Sequence, residues 1–222
     1  MERKFILTDK FVINSFGIKL FQIKCTKSFK YAQKGDFGGY VEKEGNLDQE
    51  NDAWVFGNAR VFGNARVSSN ARVSGNARVF GDAWVSDNAW VSSNAWVSGD
   101  AWVSGDARVS GDARVFGNAR VSGNAWVSGN AWVSGNAWVS GNADIENDNE
   151  HCGFDGFGSC NHHTHAYMTK EKKVEIICGC FRGSIEEFEK KVEETHSGTV
   201  YEKQYKSIIN VIKIKFGLTD FT

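Results

Sequence analysis

Residues 124–141 read NAWVSGNAWVSGNAWVSG, one hexapeptide three times over. The period continues outward on both sides. With the aliphatic residue as register, Val55, Val61, Val67 and onward to Val139 and Ile145 make sixteen consecutive units without insertion or deletion. An alanine stands two residues before each, from Ala53 to Ala143. In an extended backbone the order alanine, Trp or Arg, valine points alanine and valine to one side and Trp or Arg to the other. Gly-Asn and Gly-Asp pairs between the strands supply the left-handed conformations of a tight corner. Each unit therefore predicts one side and one corner of a closed coil.

From Asp52 to about Glu146 this pattern of an aliphatic residue followed four positions later by a small one resembles the hexapeptide-repeat family. The resemblance implies a left-handed parallel β-helix in which three hexapeptides make one triangular coil, so sixteen units imply about five coils, roughly 4.8 Å apart. Ser or Phe follows the aliphatic residue where the family most often has Gly. The sequence holds no proline, which suits a fold in which nearly every N–H serves a ladder. The open ends of a β-helix expose unpaired edges, so both need covers. The expected fold is mainly β: an N-terminal β cap over residues 1–50, the solenoid over 51–147, and a C-terminal α+β module over 148–222.

A chain of 222 residues with 41% apolar composition holds enough hydrophobic material for a core. Its formal net charge of −1 gives no steering toward nucleic acid or an acidic membrane. Four of the five cysteines fall between Cys152 and Cys180, which points to reduced thiols in a cytoplasm rather than a disulfide framework. Asp9, Lys10 and Asn14 interrupt the apolar N-terminal run, so it predicts neither a signal peptide nor a membrane span. A membrane is not an expected partner.

All eight tryptophans occupy the outward position, and arginine fills it in most other units. Residues one coil apart share a face. The first face reads Trp54, Arg72, Trp90, Arg108, Trp126; the second Arg60, Arg78, Trp96, Arg114, Trp132; the third Arg66, Trp84, Trp102, Arg120, Trp138. Arg over Trp at coil spacing predicts cation–π ladders of about 0.5–1 kcal/mol each. Such ladders stiffen a solenoid without any partner, and the block order of Trp and Arg is what tandem duplication produces. They also match residue types enriched at binding hot spots. On that reading the partner-binding residues are Trp84, Trp90, Trp96, Trp102, Arg108, Arg114, Arg120, Trp126, Trp132 and Trp138, and the expected partner is a host protein. Single-stranded nucleic acid is the second candidate, opposed by corner carboxylates such as Asp82, Asp100 and Asp112. Ice binding needs threonine arrays, and no threonine lies between Thr26 and Thr164. The family's acyltransferases need a histidine base and a protruding loop, and the repeat has neither.

Residues 1–50 predict strands leading into a Gly-rich turn, GDFGG at 35–39, that plugs the first coil. The run KGDFGGYVEKEGNL with NDAWVFGNARV resembles the opening of phage and prophage hexapeptide-repeat proteins, and CGCFRGSIEEFEKKVEETH extends that resemblance; it implies a viral origin. Beyond Asn147 the sequence predicts a β-hairpin over 167–181, a helix opened by the capping box Ser184–Glu187, and a second helix carrying Tyr205, Ile208, Ile209 and Ile212. This module seals the last coil or joins two copies into a homo-oligomer. Between repeat and helices, Cys152, Cys160, His163 and His165 form the candidate zinc set, weighed against buried thiols beside a polar loop and against a Cys-His catalytic pair. The overall expectation is a non-enzymatic binder without a cofactor, active in the host cytoplasm and blocking a host macromolecule as an anti-CRISPR-like inhibitor does. An acyltransferase relative or metal-dependent enzyme, and a virion assembly component, are the alternatives.

Overall fold

A computed structural model describes residues 3–218. The first two residues of the N-terminal cap and the last four of the C-terminal module lie outside the described residues. Sixteen two-residue strands, β4 to β19, run from Trp54–Val55 to Asp144–Ile145, and each pairs in parallel with the strand one coil away. Trp90, for example, stands between Arg72 and Arg108, and Val91 between Val73 and Val109. Its amide donates to the Ala107 carbonyl at 2.9 Å, and that of Ser92 to the Val109 carbonyl at 2.9 Å. The result is a parallel β-solenoid with three faces.

The interior is hydrocarbon. Every alanine from Ala53 to Ala143 and every aliphatic residue from Val55 to Ile145 is buried. Corners turn through a left-handed residue. At Gly111, with φ +65°, an added Cβ would lie 2.7 Å from the Gly129 carbonyl oxygen. Ser69, Asp87 and Ser93 hold the same conformation at φ 56–59°, so stacking imposes this corner even without glycine.

The solenoid starts earlier than the repeat. Strand β3 (Phe37–Val41) lies parallel to β5 (Arg60–Val61), with Tyr40 opposite Arg60 and Val41 opposite Val61. Leu47 bridges Val67. These residues add most of a coil, giving about six turns rather than five. The expected glycine turn is thus corrected to a strand. Gly38 and Gly39 fit there because a Cβ on either would sit 2.6–2.7 Å from the carbonyl oxygens of Val55 and Ala59. Close approach, rather than a bend, demands glycine.

Strand β2 (Lys19–Cys25) continues the same sheet antiparallel to β3, and β1 (Phe5–Ile13) pairs antiparallel with β2 at its edge. Lys4 is buried beside them and donates through Nζ to the carbonyls of Asn51 (2.5 Å) and Ala53 (3.0 Å), which covers the solenoid's N-terminal edge. Burial lowers its ammonium pKa to about 8, against weaker opposing pulls from Asp48 and Asp52. Lys4→Met should cost about 1–3 kcal/mol by leaving carbonyl acceptors unsatisfied. A shift in the urea midpoint measures this, and an unchanged midpoint would show that water takes over the two bonds.

At the other end an antiparallel sheet forms from β20 (His151–Phe154), β21 (Thr164–Met168), β22 (Val174–Cys178) and β23 (Phe181–Ser184). The expected hairpin is its middle pair. One face places Tyr167 and Ile177 against the last coil; the other packs Ala166, Ile176 and Cys178 against helices α1 (Ile185–His196) and α2 (Val200–Lys215). The Ser184 hydroxyl accepts from the Glu187 amide and the Glu187 carboxylate from the Ser184 amide, the capping box read from the sequence. The last coil's edge is covered too: Asp148 accepts from the Trp132 amide at 2.7 Å, and Ala143 bridges Thr169. No helix among the described residues is long and apolar enough to cross a membrane.

Candidate functional site

The outward residues form ladders in the register expected. On the second face Arg78 lies 4.9 Å from the Trp96 ring, and Arg114 is held between Trp96 (4.9 Å) and Trp132 (4.7 Å). On the first, Arg72 lies 4.6 Å from Trp90, and Arg108 lies between Trp90 (6.0 Å) and Trp126 (5.8 Å). On the third, Trp84 and Trp102 stack at 5.3 Å and 4°, with Arg120 6.0 Å from Trp102. A double-mutant cycle of Arg114→Gln with Trp132→Leu should return a coupling of about 0.5–1 kcal/mol. Additive losses would mean that stacking there contributes nothing.

Five indoles lean toward the preceding coil. The Nε1–H groups of Trp84, Trp90 and Trp102 donate to the hydroxyls of Ser68, Ser74 and Ser86 at 2.8, 2.9 and 3.3 Å. Where phenylalanine replaces that serine, the indole meets a ring instead, as Trp96 does with Phe80 and Trp132 with Phe116. The spacing of sixteen residues was a legible signal that pattern reading by face alone missed.

The ten expected binding residues are spread over all three faces and do not form one patch. Trp84, Trp102, Trp126, Trp132 and Trp138 remain 40–47% exposed. Trp54 departs from the expected outward exposure. It is 1% exposed, because Phe5 and Phe29 of the N-terminal cap pack edge-on against it at 6.4 and 5.4 Å. The same cap lays Phe16 over Phe62 and Phe80, which stack on one another at 5.0 Å.

The expected zinc ligands do not converge. Among the described residues no three His, Cys, Asp or Glu side chains surround a point that could hold a metal. Strand alternation is the reason: Cys152 pairs with Ala166 on the helix face, whereas His165 pairs with Gly153 on the solenoid face. Burial pushes the Cys152 thiol up to about 11, the reverse of a reactive thiolate. Cys160 is exposed, and His163 holds Asp155 at 2.8 Å.

The solenoid face instead gathers histidines. His165 is 1% exposed; its Nδ1 lies 3.0 Å from the Trp138 carbonyl and its Nε2 3.1 Å from His151 Nδ1. A carbonyl only accepts, so His165 carries its proton on Nδ1, its Nε2 accepts, and His151 Nδ1–H donates. Burial lowers the His165 pKa to about 3, against a weaker opposing pull from the Trp138 carbonyl, and burial also lowers that of His151. Asp155 is held below the usual carboxylate range, first by His163 and then by Asn136, which ties this cluster to a corner ladder through Asn118. His151, absent from the expected set, is the residue that alternation along His151–Gly153 and His163–His165 would have revealed.

With this geometry in hand, comparison with known proteins finds similarity to the YdcK beta solenoid repeat at residues 71–87, 113–129 and 125–141. The chain is a repeat β-solenoid protein. No curated protein matches it. The matched segments lie wholly within β-solenoid coils, where the Trp and Arg ladders stand.

Proposed function

We propose that this repeat β-solenoid protein is a non-enzymatic interaction scaffold that binds a host protein through its Trp and Arg faces. The observation that carries the reading is the set of five tryptophans left 40–47% exposed on rigid faces, since aromatic surface held in fixed register is what interfaces use. The resemblance of its ends to phage and prophage proteins supports the finer reading, an inhibitor of a host macromolecule such as a defence nuclease, working in the host cytoplasm. Its five cysteines are free thiols, in keeping with a reducing compartment. The covers on both solenoid ends favour a discrete binder over a rod that grows end to end.

Affinity capture of the tagged protein from host lysate, beside a Trp102→Ala, Trp126→Ala, Trp132→Ala variant that alters one exposed tryptophan on each face, tests this reading. A host protein retained stoichiometrically by the parent and lost by the variant is the expected outcome. A protein retained equally by both would move the binding surface to the ends, and recovery sensitive to nuclease would replace protein by nucleic acid.

A further inference from the structure

The solenoid's arginines lack acidic partners. Among the described residues none of the seven from Arg60 to Arg120 pairs with a carboxylate, although Asp82, Asp106 and Asp112 stand at nearby corners. Those three carboxylates are occupied by the amides of Asn64, Asn88 and Asn94. The Nε of Arg72 is buried with no hydrogen-bond partner at all. Stacking between indoles uses the flat faces of a guanidinium and leaves its in-plane N–H groups free. Each stacked arginine is therefore a positioned donor fork without an acceptor.

The second face adds a feature that stacking does not explain. Arg60 stands directly opposite Arg78 with no ring between them, and like charges directly opposite destabilise a sheet. Next along the stripe come Trp96, Arg114 and Trp132, so three guanidinium groups share one face with two indoles. Beside this face Phe62, buried beneath Phe16 of the N-terminal cap, stacks on Phe80 and fixes the position of the Arg60 and Arg78 strands.

We propose that the second face binds an acidic segment of a protein partner, with carboxylates taken by Arg60, Arg78 and Arg114 and aromatic or aliphatic side chains laid on Trp96 and Trp132. The inference rests on the interaction reading above and names its chemistry. Charge complementarity selects the occupant, because carboxylate geometry matches the free forks and the like-charge pair is relieved when a carboxylate bridges it. A protein segment fits better than a nucleic acid. The guanidinium groups do not form a continuous track, because Trp96 separates Arg78 from Arg114, whereas a polyphosphate strand presents a charge at every step.

The test uses the full chain, an Arg60→Gln, Arg78→Gln variant and a Trp96→Leu variant, with a random copolymer of glutamate and tyrosine and an oligothymidylate as probes. Fluorescence anisotropy should show copolymer binding that weakens with salt and falls at least about tenfold in the arginine variant, the loss of one or more charge-assisted bonds. A cooperative thermal transition of the unliganded arginine variant close to that of the parent verifies its folding, since relief of the like-charge pair offsets loss of the Arg78–Trp96 stack. Copolymer binding that survives in the arginine variant but is lost with Trp96→Leu would overturn the charge assignment and leave the interaction surface standing. No copolymer binding by the parent, or binding indifferent to both variants, would overturn the assignment and weaken the surface reading with it. Tighter binding of oligothymidylate than of copolymer would overturn the protein assignment.

Discussion

Val109→Asp should abolish cooperative folding of the solenoid. Val109 is wholly buried, with Val91 on one rung and Val127 on the other, in an interior lined by alanine and valine. A carboxylate placed there meets no donor and no water. Burying an unpaired charge costs more than about 4–5 kcal/mol, close to the whole stability of many domains. Val109→Thr keeps the shape and adds one hydroxyl, so it should fold with a loss of about 1–3 kcal/mol. Circular dichroism through a urea titration separates the two: no cooperative transition for aspartate, and a lowered midpoint for threonine. A soluble Val109→Asp protein with the parent's midpoint would mean that the interior holds water.

The second large effect is acid lability of the C-terminal seal. His165 titrates near its free value of 6.5 when unfolded and at about 3 when folded. Between those values the unfolded chain binds a proton that the folded one refuses. Stability is therefore complete above 6.5 and falls as pH drops toward 3, by about 1.4 kcal/mol per unit. Two units below 6.5 the loss from this one group is about 2–3 kcal/mol, and the lowered pKa of His151 acts in the same direction. The urea midpoint should fall accordingly, and His165→Asn, which keeps a donor for the Trp138 carbonyl, should flatten the profile over that range. A parent midpoint that does not move between neutral and mildly acidic pH would contradict the buried neutral state. Hydrogen exchange should show β20 and β21 opening first, since coils touch only their neighbours and the solenoid can persist without its plug.

The repeat made the solenoid legible because every unit states the same alternation, and burial of Ala53 to Ala143 follows it without exception. The outward ladders were legible for the same reason. Trp54 was not, since its cover comes from Phe5 and Phe29, whose positions depend on how the N-terminal strands dock. Gly38 and Gly39 were read as a turn because glycine signals both bends and close approaches, and only the contacts with the Val55 and Ala59 carbonyls distinguish them. The Cys and His cluster misled because ligand spacing in sequence ignores strand alternation. Cys152 lies one residue from His151 and yet faces the helices, while His151 faces the solenoid.

The stacking register also limits how the molecule can lengthen. Three hexapeptides return the chain to the same face, so an insertion of one full coil moves the C-terminal module about 4.8 Å along the axis and preserves the Trp138–His165 junction. An insertion of a single hexapeptide would present that module with the wrong side of the prism and break the same junction. Length in this protein is therefore quantised, a ruler with divisions of one coil, and variants with more or fewer whole coils would change its reach while keeping both ends intact.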